Sequence, residues 1–170
     1  MTGEYAYHEI AQGSEFIEDG GSITINASSD DAMNSLDGFN IVGVLVTITH
    51  EDTETVNGPL CAVADPPQDD TVEATISHAD LSAGEADTNS FDFQLNWHNS
   101  SLVNSNVSNM TKADIESMLD GGGIGFGMHD LVIGVTVQNG GGLGCNSNDD
   151  GQDVSYTIEL VSLDYSVNPV

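Results

Sequence analysis

Hydrophobic and polar residues alternate with a period of two along most of this chain, which is the pattern of β-strands with one buried face. In the segment 91–98, Phe91, Phe93, Leu95 and Trp97 share one face, and polar side chains occupy the other. Three more segments alternate in the same way, with inward positions at Ile23 and Ile25, at Val72, Ala74 and Ile76, and at Leu131, Ile133, Val135 and Val137. The pattern predicts antiparallel sheets that are apolar on one side and polar on the other.

Two segments carry apolar residues on both faces, which predicts strands that are covered on both sides. The segment 41–50 places Val42, Val44, Val46 and Ile48 on one face, and Ile41 and Leu45 on the other. The segment 154–165 begins with Val154, Tyr156, Ile158 and Leu160 in phase, and continues in the opposite phase with Val161, Leu163 and Tyr165. We expect a β-bulge near Leu160, because one extra residue transfers the following side chains to the other face. The opening segment 4–10 predicts an edge strand.

One short helix is predicted near residues 111–119. Thr111 stands at the N-cap position and Asp114 follows three residues later, in the arrangement of a capping box. The glycines at 121–123 end the helix. Its apolar face is predicted to consist of Ile115, Met118 and Leu119.

Seven or eight strands with one short helix predict an all-β fold, a two-layer antiparallel β-sandwich of the immunoglobulin-like or jelly-roll-like kind. A length of 170 residues suits one domain, so we expect residues 1–170 to form a single β-sandwich domain. The glycine-rich segments 121–127 and 139–144 lack the Lys–Ser/Thr ending of a phosphate-binding loop, and they predict turns.

The charge balance is extreme, with 28 acidic residues against Lys112 as the one basic residue, for a formal net charge of −27. Nucleic acid and anionic membranes are excluded as direct partners, because both require clustered Lys or Arg. Cations are the expected partners of such a surface. Two interpretations stay open: a solubilising surface adapted to salty surroundings, and a surface that collects divalent cations or a basic partner.

The chain has two cysteines, Cys61 and Cys145, and neither belongs to a Cys-x-x-Cys pair. An even count in a loop-rich acidic chain predicts one disulfide, with two unpaired buried thiols as the alternative. Four glycosylation sequons, Asn-x-Ser/Thr, begin at Asn26, Asn99, Asn106 and Asn109. Together these features predict an extracellular or cell-surface location. Since the segment 1–10 shows no basic region followed by an apolar one, we expect the trimmed ectodomain of an anchored or secreted protein.

The stretch CNSNDDGQD, which starts at Cys145, contains the front half of a calcium-binding loop. Asn146, Asn148 and Asp150 stand at positions 1, 3 and 5, and a glycine follows. The twelfth position holds Thr157 instead of a bidentate glutamate. A Ca²⁺ site would therefore need negatively charged ligands from other positions, for example Asp153. A disulfide would also bring Asp65, Asp69 and Asp70 near. The sequence thus predicts a Ca²⁺ site at Asn146, Asn148, Asp150 and Asp153, with a solvated polar loop as the alternative.

Signatures of catalysis are absent from the sequence. The five histidines do not pair at metal-ligand spacing, and no Gly-x-Ser-x-Gly nucleophile motif occurs. With 28 acidic residues, a pair of carboxylates carries no information. Trp97 with the tyrosines suggests a sugar-stacking platform, but its phase with Phe91 and Phe93 favours a place in the core. We expect a protein that is not an enzyme.

In composition and strand rhythm, acidic, rich in Asn, Ser and Gly and almost free of Lys and Arg, the chain resembles secreted or cell-surface β-sandwich ectodomains of salt-adapted or marine archaea. The resemblance carries over no functional residue. We expect a structural or adhesive module of a cell surface or a secreted assembly, with Ca²⁺ at its acidic loops as a stabilising cofactor. The alternative is a module that binds carbohydrate or another ligand. The expected partners are cations, other surface proteins and glycans.

Overall fold

The computed structural model describes residues 1–51, 54–61, 69–138, 140 and 144–168. Within these residues it contains ten strands, two α-helical segments and two short 3₁₀ turns. The strands are β1 (Thr2–Glu18), β2 (Ser22–Ser28), β3 (Ile41–His50), β4 (Thr55–Asn57), β5 (Thr71–His78), β6 (Leu81–Asp87), β7 (Phe91–Asn96), β8 (Met128–Thr136), β9 (Asn146–Asn148) and β10 (Gly151–Ser166). The helices are α1 (Met33–Leu36) and α2 (Lys112–Leu119), and the 3₁₀ turns are Asp30–Ala32 and Ser100–Leu102.

Eight strands form two four-stranded sheets that pack face to face. The first sheet has the order β1-β10-β3-β7 and the second has the order β2-β8-β5-β6. All the neighbouring pairs are antiparallel, and β4 pairs with β9 in a small third sheet. Strands that are distant in sequence alternate within each sheet, as in the two Greek keys of a jelly roll. The predicted two-layer β-sandwich is confirmed, and of its two variants the topology is that of the jelly roll.

The space between the two sheets is filled by the side chains that the alternation predicts. Phe93 and Leu95 of β7 are buried, and Val154 and Ile158 of β10 lie in the same cluster. The inward positions of β5 and β8, and Val137 directly after β8, are also buried: Val72, Ala74, Ile76, Leu131, Ile133, Val135 and Val137. Trp97 packs half-buried against this cluster, and its indole nitrogen donates to the Ile41 carbonyl oxygen over 2.8 Å. Trp97 therefore belongs to the core.

A second apolar cluster covers the outer face of the first sheet. It contains Val42, Val161 and Leu163 from the sheet and Ile115 and Leu119 from α2. This layer explains why β3 and β10 carry apolar residues on both faces. Its existence follows from tertiary packing, because the helix and the segment that precedes it fold back onto the sheet.

Helix α2 begins as predicted. The Thr111 hydroxyl accepts from the Asp114 amide over 3.2 Å, and the Asp114 carboxylate accepts from the Thr111 amide over 3.1 Å, which completes the capping box. Ile115 and Leu119 face the sheet, whereas Met118 is 43% exposed. The prediction that Met118 shares the buried face is wrong, because only the i, i+4 pair points at the sheet from a helix this short.

β10 itself alternates without a break, because Ile158 packs in the inner cluster and Val161, three positions later, packs in the outer cluster. The register shifts lie in the neighbouring strands. The register of β10 against β3 shifts next to Val161, where Val42 is the extra residue on β3. Its register against β1 shifts next to Glu159, where Ile10 is the extra residue on β1. The bulge predicted in β10 near Leu160 was therefore assigned to the wrong strand. The extra residue in β3 also accounts for Val42 lying in the outer cluster, apart from its predicted inward neighbours.

The edge strand β6 was missed by the sequence pattern. It borders the second sheet, and Ala83 is its only position that packs against the core among the described residues. An edge strand with so little burial needs no alternation of apolar and polar residues. The short strands β4 and β9 and the four-residue helix α1 were missed for the same reason, since none of them carries a periodic apolar face.

Candidate functional site

The predicted disulfide joins Cys61 to Cys145, with a distance of 4.7 Å between the two α-carbons. Cys145 is 4% exposed and directly precedes β9, while Cys61 follows soon after β4. The bond therefore fastens the small β4–β9 sheet at one end of the sandwich. Its two cysteines are 84 residues apart in sequence, so the bond closes a large part of the chain into one loop.

The residues predicted to bind Ca²⁺ lie beside this disulfide. Asn146 and Asn148 belong to β9, where they face Asn57 and Thr55 of β4. Asp150 follows in the turn, and Asp153 lies exposed in β10. Side chains two positions apart on a strand project side by side instead of wrapping around one centre. The loop conformation that the spacing predicted is therefore replaced by a strand and a turn.

Ca²⁺ binding at these residues stays a prediction. Within the described part of the chain, no group of three or more His, Cys, Asp or Glu side chains is placed to hold a metal ion. Asp65 lies outside the described residues. Asp69 is exposed, and Asp70 is buried.

Several carboxylates at this end of the sandwich accept hydrogen bonds from backbone amides. The donor and acceptor pairs are Val137 to Asp19 (3.0 Å), Gln138 to Asp70 (2.9 Å), Gly140 to Glu54 (2.8 Å) and Gly151 to Asp149 (3.2 Å). A charged acceptor makes such a bond stronger than a neutral one. These four acids thus hold the loops around the disulfide through hydrogen bonds.

Two stacked histidines hold the glycine-rich segment 121–127 at the opposite end. The rings of His78 and His129 are parallel within 12°, with centroids 4.0 Å apart. His78 contacts the carbonyl oxygens of Met128 and Ile124 through its two ring nitrogens, and His129 Nε2 contacts the Gly125 carbonyl oxygen over 3.1 Å. Both rings are almost fully buried, so the segment is fixed from within the sandwich.

The burial of His129 lowers its pKa to about 4, because desolvation disfavours the charged ring. The neighbouring His78 lowers this pKa further, whereas the Gly125 carbonyl and Asp130 act in the opposite direction. With Nε2 against a carbonyl, Nδ1 of His129 is buried and has no hydrogen-bond partner among the described residues. His129 is therefore neutral at pH 7.

An open groove of about 650 Å³ lies where β1 and β10 meet the loop at 37–40. Three aromatic residues border it: Tyr5, Phe39 and Tyr165. Its polar border is formed by Glu4, Asp37, Asn40, Ser162 and Asp164. Phe39 is 48% exposed, so its ring is open to a ligand. No local pattern in the sequence indicates this grouping, because the three aromatic residues come from three separate segments.

The other two rings of the groove are partly desolvated. The Tyr5 hydroxyl lies 2.9 Å from Nε2 of His98. Burial, with a smaller contribution from Tyr7, raises the pKa of Tyr5, and burial together with Glu116 and Asp120 raises the pKa of Tyr165. Both phenols therefore stay protonated at neutral pH and retain a hydroxyl that donates hydrogen bonds.

Ser162, at the border of this groove, is paired with His8. Nε2 of His8 lies 2.8 Å from Oγ of Ser162, and the His8 ring meets the edge of Phe39 at a centroid distance of 5.1 Å. Ser162 is only 3% exposed, which shields its oxygen from a substrate. Among the described residues, no carboxylate hydrogen-bonds to His8 to complete a triad. We interpret the pair as a buried hydroxyl that is satisfied by a neighbouring imidazole.

No helix in the described residues is both long enough and apolar enough to cross a bilayer. No protein-family model and no curated protein matches the chain. Among solved structures, this chain is similar to a protein chain of Triatoma virus, with 11% sequence identity and a TM-score of 0.39. The match covers 95% of this chain and 66% of the viral chain. A second similar structure, an empty Triatoma virus capsid, shows 10% identity and a TM-score of 0.39 over 97% and 93% of the two chains. At these scores, the function must be argued from the chain's own residues.

Proposed function

We propose that this protein is a non-enzymatic structural or adhesive module of a cell surface or a secreted assembly. The observation that carries the proposal is the Cys61–Cys145 disulfide, since such bonds form and persist in oxidising compartments outside the cytosol. The bond fastens one end of the sandwich, and the buried histidines fasten the other. A module closed at both ends suits a mechanical role in an environment without chaperones.

The acidic surface supports the same proposal. A net charge of −27 on a domain of this size keeps it dissolved in concentrated salt, as expected of a protein exposed to a saline medium. On the exposed face of α2, Nζ of Lys112 lies 3.6 Å from Oε1 of Glu116. This one positive charge compensates very little of the net negative charge. The remaining carboxylates repel each other in dilute buffer.

Salt is expected to stabilise the fold strongly. Raising NaCl from about 20 mM to about 1 M shortens the Debye length from over 20 Å to about 3 Å and screens the carboxylates from each other. We expect the melting temperature to rise by at least about 5 °C, the shift produced by about 2 kcal/mol in a domain of this size. Scanning calorimetry measures this, and KCl at equal ionic strength should act like NaCl. A flat response would contradict the screening argument.

Calcium is expected to add stability beyond screening, if the acidic turn beside the disulfide binds it. We expect a higher melting temperature in CaCl₂ than in NaCl at equal ionic strength, by a few degrees, because a ligand that binds only the native state stabilises it. The variant Asp150→Asn/Asp153→Asn should lose this difference. Asp92→Asn removes an exposed carboxylate from β7 and serves as the control. Equal melting temperatures in both salts would refute the calcium site.

Assembly is the direct test of a structural role. The purified chain would be followed by light scattering and negative-stain electron microscopy as protein concentration, NaCl and CaCl₂ are raised. Ordered oligomers, sheets or filaments support the proposal. A protein that stays monomeric throughout, and that binds glycans, would favour the second function instead.

Carbohydrate binding is the second candidate function, and the groove beside Phe39 favours it. Exposed aromatic rings stack on the apolar face of a sugar, while carboxylates and amides accept and donate hydrogen bonds to its hydroxyls. The acidic border of the groove disfavours anionic sugars, so a neutral or amino sugar is expected. On a glycan array, Phe39→Ala should abolish binding, whereas Phe16→Ala, an exposed aromatic residue outside the groove, should leave it unchanged.

A further inference from the structure

The four sequons of this chain differ in how the fold presents their asparagines. On a folded chain, a transferase can modify a sequon only where the asparagine lies on the surface and its amide nitrogen is free to react. Asn26, Asn99, Asn106 and Asn109 are all exposed. Exposure therefore does not separate them, and the hydrogen bonds around each sequon must decide.

The sequon at Asn26 is blocked at its reactive atom. Asn26 lies within β2, directly opposite Asp130 of β8. Its Nδ2 donates to the Asp130 carboxylate over 2.6 Å, a short bond to a charged acceptor. A transferase would have to break this bond and also displace β2 from its sheet.

The sequon at Asn109 is blocked at its hydroxyl. Thr111, two residues later, is the N-cap of α2, and its hydroxyl both donates to and accepts from Asp114. Asn109 itself has a left-handed backbone with φ of 65°. Using this sequon would require uncapping the helix, in addition to rearranging the backbone.

The sequon at Asn99 is presented openly. The carboxamide oxygen of Asn99 accepts from the Ser101 amide over 3.3 Å and from the Ser101 hydroxyl over 2.7 Å, which forms a compact turn. Both bonds lie within the sequon, whereas the Thr111 hydroxyl is bonded to Asp114 of α2, outside its own sequon. Its backbone is anchored by a bond from the Asn99 amide to the Met118 carbonyl oxygen over 2.9 Å. In the described structure Nδ2 of Asn99 has no hydrogen-bond partner, so the nitrogen faces solvent.

The sequon at Asn106 is also free. Asn106 and Ser108 are exposed and lie between β7 and α2, outside any helix or strand. In the described part of the chain, neither side chain takes part in a hydrogen bond. Between them, the half-buried Val107 packs against the outer cluster, which holds the segment close to the protein while both polar side chains point outward.

We infer that Asn99 and Asn106 are N-glycosylation sites of the folded protein, and that Asn26 and Asn109 are not. In the reaction, the asparagine Nδ2 attacks the anomeric carbon of a lipid-pyrophosphate-linked oligosaccharide. The bond between Nδ2 and that carbon forms, the bond between the carbon and the phosphate oxygen breaks, and the proton lost by nitrogen ends in solution beside the lipid pyrophosphate. No oxidant or reductant is needed. Both sites lie on the layer that covers the first sheet, so their glycans would shield that side.

The inference rests on the proposed extracellular location. Which sequons of the folded chain a transferase can modify is tested independently of that location, in a purified system. The folded chain would be incubated with a purified single-subunit oligosaccharyltransferase and a lipid-pyrophosphate-linked oligosaccharide. A parallel sample would be reduced and alkylated so that it is unfolded. Peptide mass spectrometry then gives the rate of modification at each asparagine, and Asn99→Gln and Asn106→Gln verify the assignment.

In the folded chain we expect Asn99 and Asn106 to react at least about tenfold faster than Asn26 and Asn109, a ratio that corresponds to about 1.4 kcal/mol. In the unfolded chain all four should react at similar rates. Rapid modification of Asn26 or Asn109 in the folded chain would overturn the inference. So would modification of Asn99 or Asn106 only after unfolding, or no modification in either sample. None of these outcomes depends on whether the module assembles, so failure here is distinct from failure of the proposed function.

Discussion

Replacing both cysteines with alanine is expected to lower the free energy of unfolding by about 4 kcal/mol, the largest effect of any change considered for this protein. The disulfide spans 84 residues, so its loss restores a large amount of chain entropy to the unfolded state. It also releases the β4–β9 sheet, which pairs over only three positions. A two-stranded ribbon of this length is not stable alone.

Urea denaturation in concentrated NaCl measures this change. The Cys61→Ala/Cys145→Ala variant and the reduced wild-type protein should both lose stability, the variant slightly more, and both should unfold with a steeper dependence on urea, because the unfolded chain exposes more surface. Since Cys145 is buried, alanine also leaves a small cavity, which the reduced wild-type protein does not have. A loss below about 1 kcal/mol in both would show that the bond adds little to the fold.

The second large effect is a loss of stability in mild acid through His129. Its pKa is about 4 in the folded protein, compared with about 6.5 in the unfolded chain. Between these values the unfolded state binds a proton that the folded state does not, so stability rises with pH there. The contribution of neutral His129 to the free energy of unfolding is about 3 kcal/mol. It is complete above pH 6.5 and is lost progressively as the pH falls towards 4.

The variant His129→Gln isolates this effect. The groups that face His129 are His78, whose ring is stacked on it, and Asp130, its neighbour on β8. Both remain in the variant, and so does the acid response of the many carboxylates. We expect the variant to be less stable at pH 7 but to lose less stability than the wild-type protein between pH 6.5 and 4.5. Parallel stability curves in that range would contradict the assignment.

The disulfide, the calcium loop and the groove differ in how well they could be predicted from the sequence. Cys61 and Cys145 could be paired because there was one possible partner for each, and the pairing is confirmed. The calcium loop was argued from spacing alone, and spacing does not reveal that Asn146 and Asn148 pair with β4. The groove depends on Tyr5, Phe39 and Tyr165 meeting across distant segments, which no local pattern reports.

The histidine stack shows the same limit. His78 and His129 are 51 positions apart, and each reads as an isolated polar residue at the end of a strand. Their stacking follows from β5 and β8 being neighbours in the second sheet. The glycine-rich segment 121–127 was correctly expected to turn, whereas most of the segment 139–144 lies outside the described residues. The reason for Gly121 lies in packing, since a β-carbon there would fall 1.7 Å from the Ile41 carbonyl oxygen.

By itself, the sequence determined the strand faces, the capped helix and the acidic character of the surface, because each depends on neighbours within a few residues along the chain. Side-chain alternation assigned Phe93, Ile133 and Ile158 to the core without knowledge of their partners. The order of strands, the bulges at Ile10 and Val42 and the layer under α2 were decided by the tertiary structure. Those features depend on contacts between residues far apart in sequence, and their energies exist only once the two sheets have closed on each other.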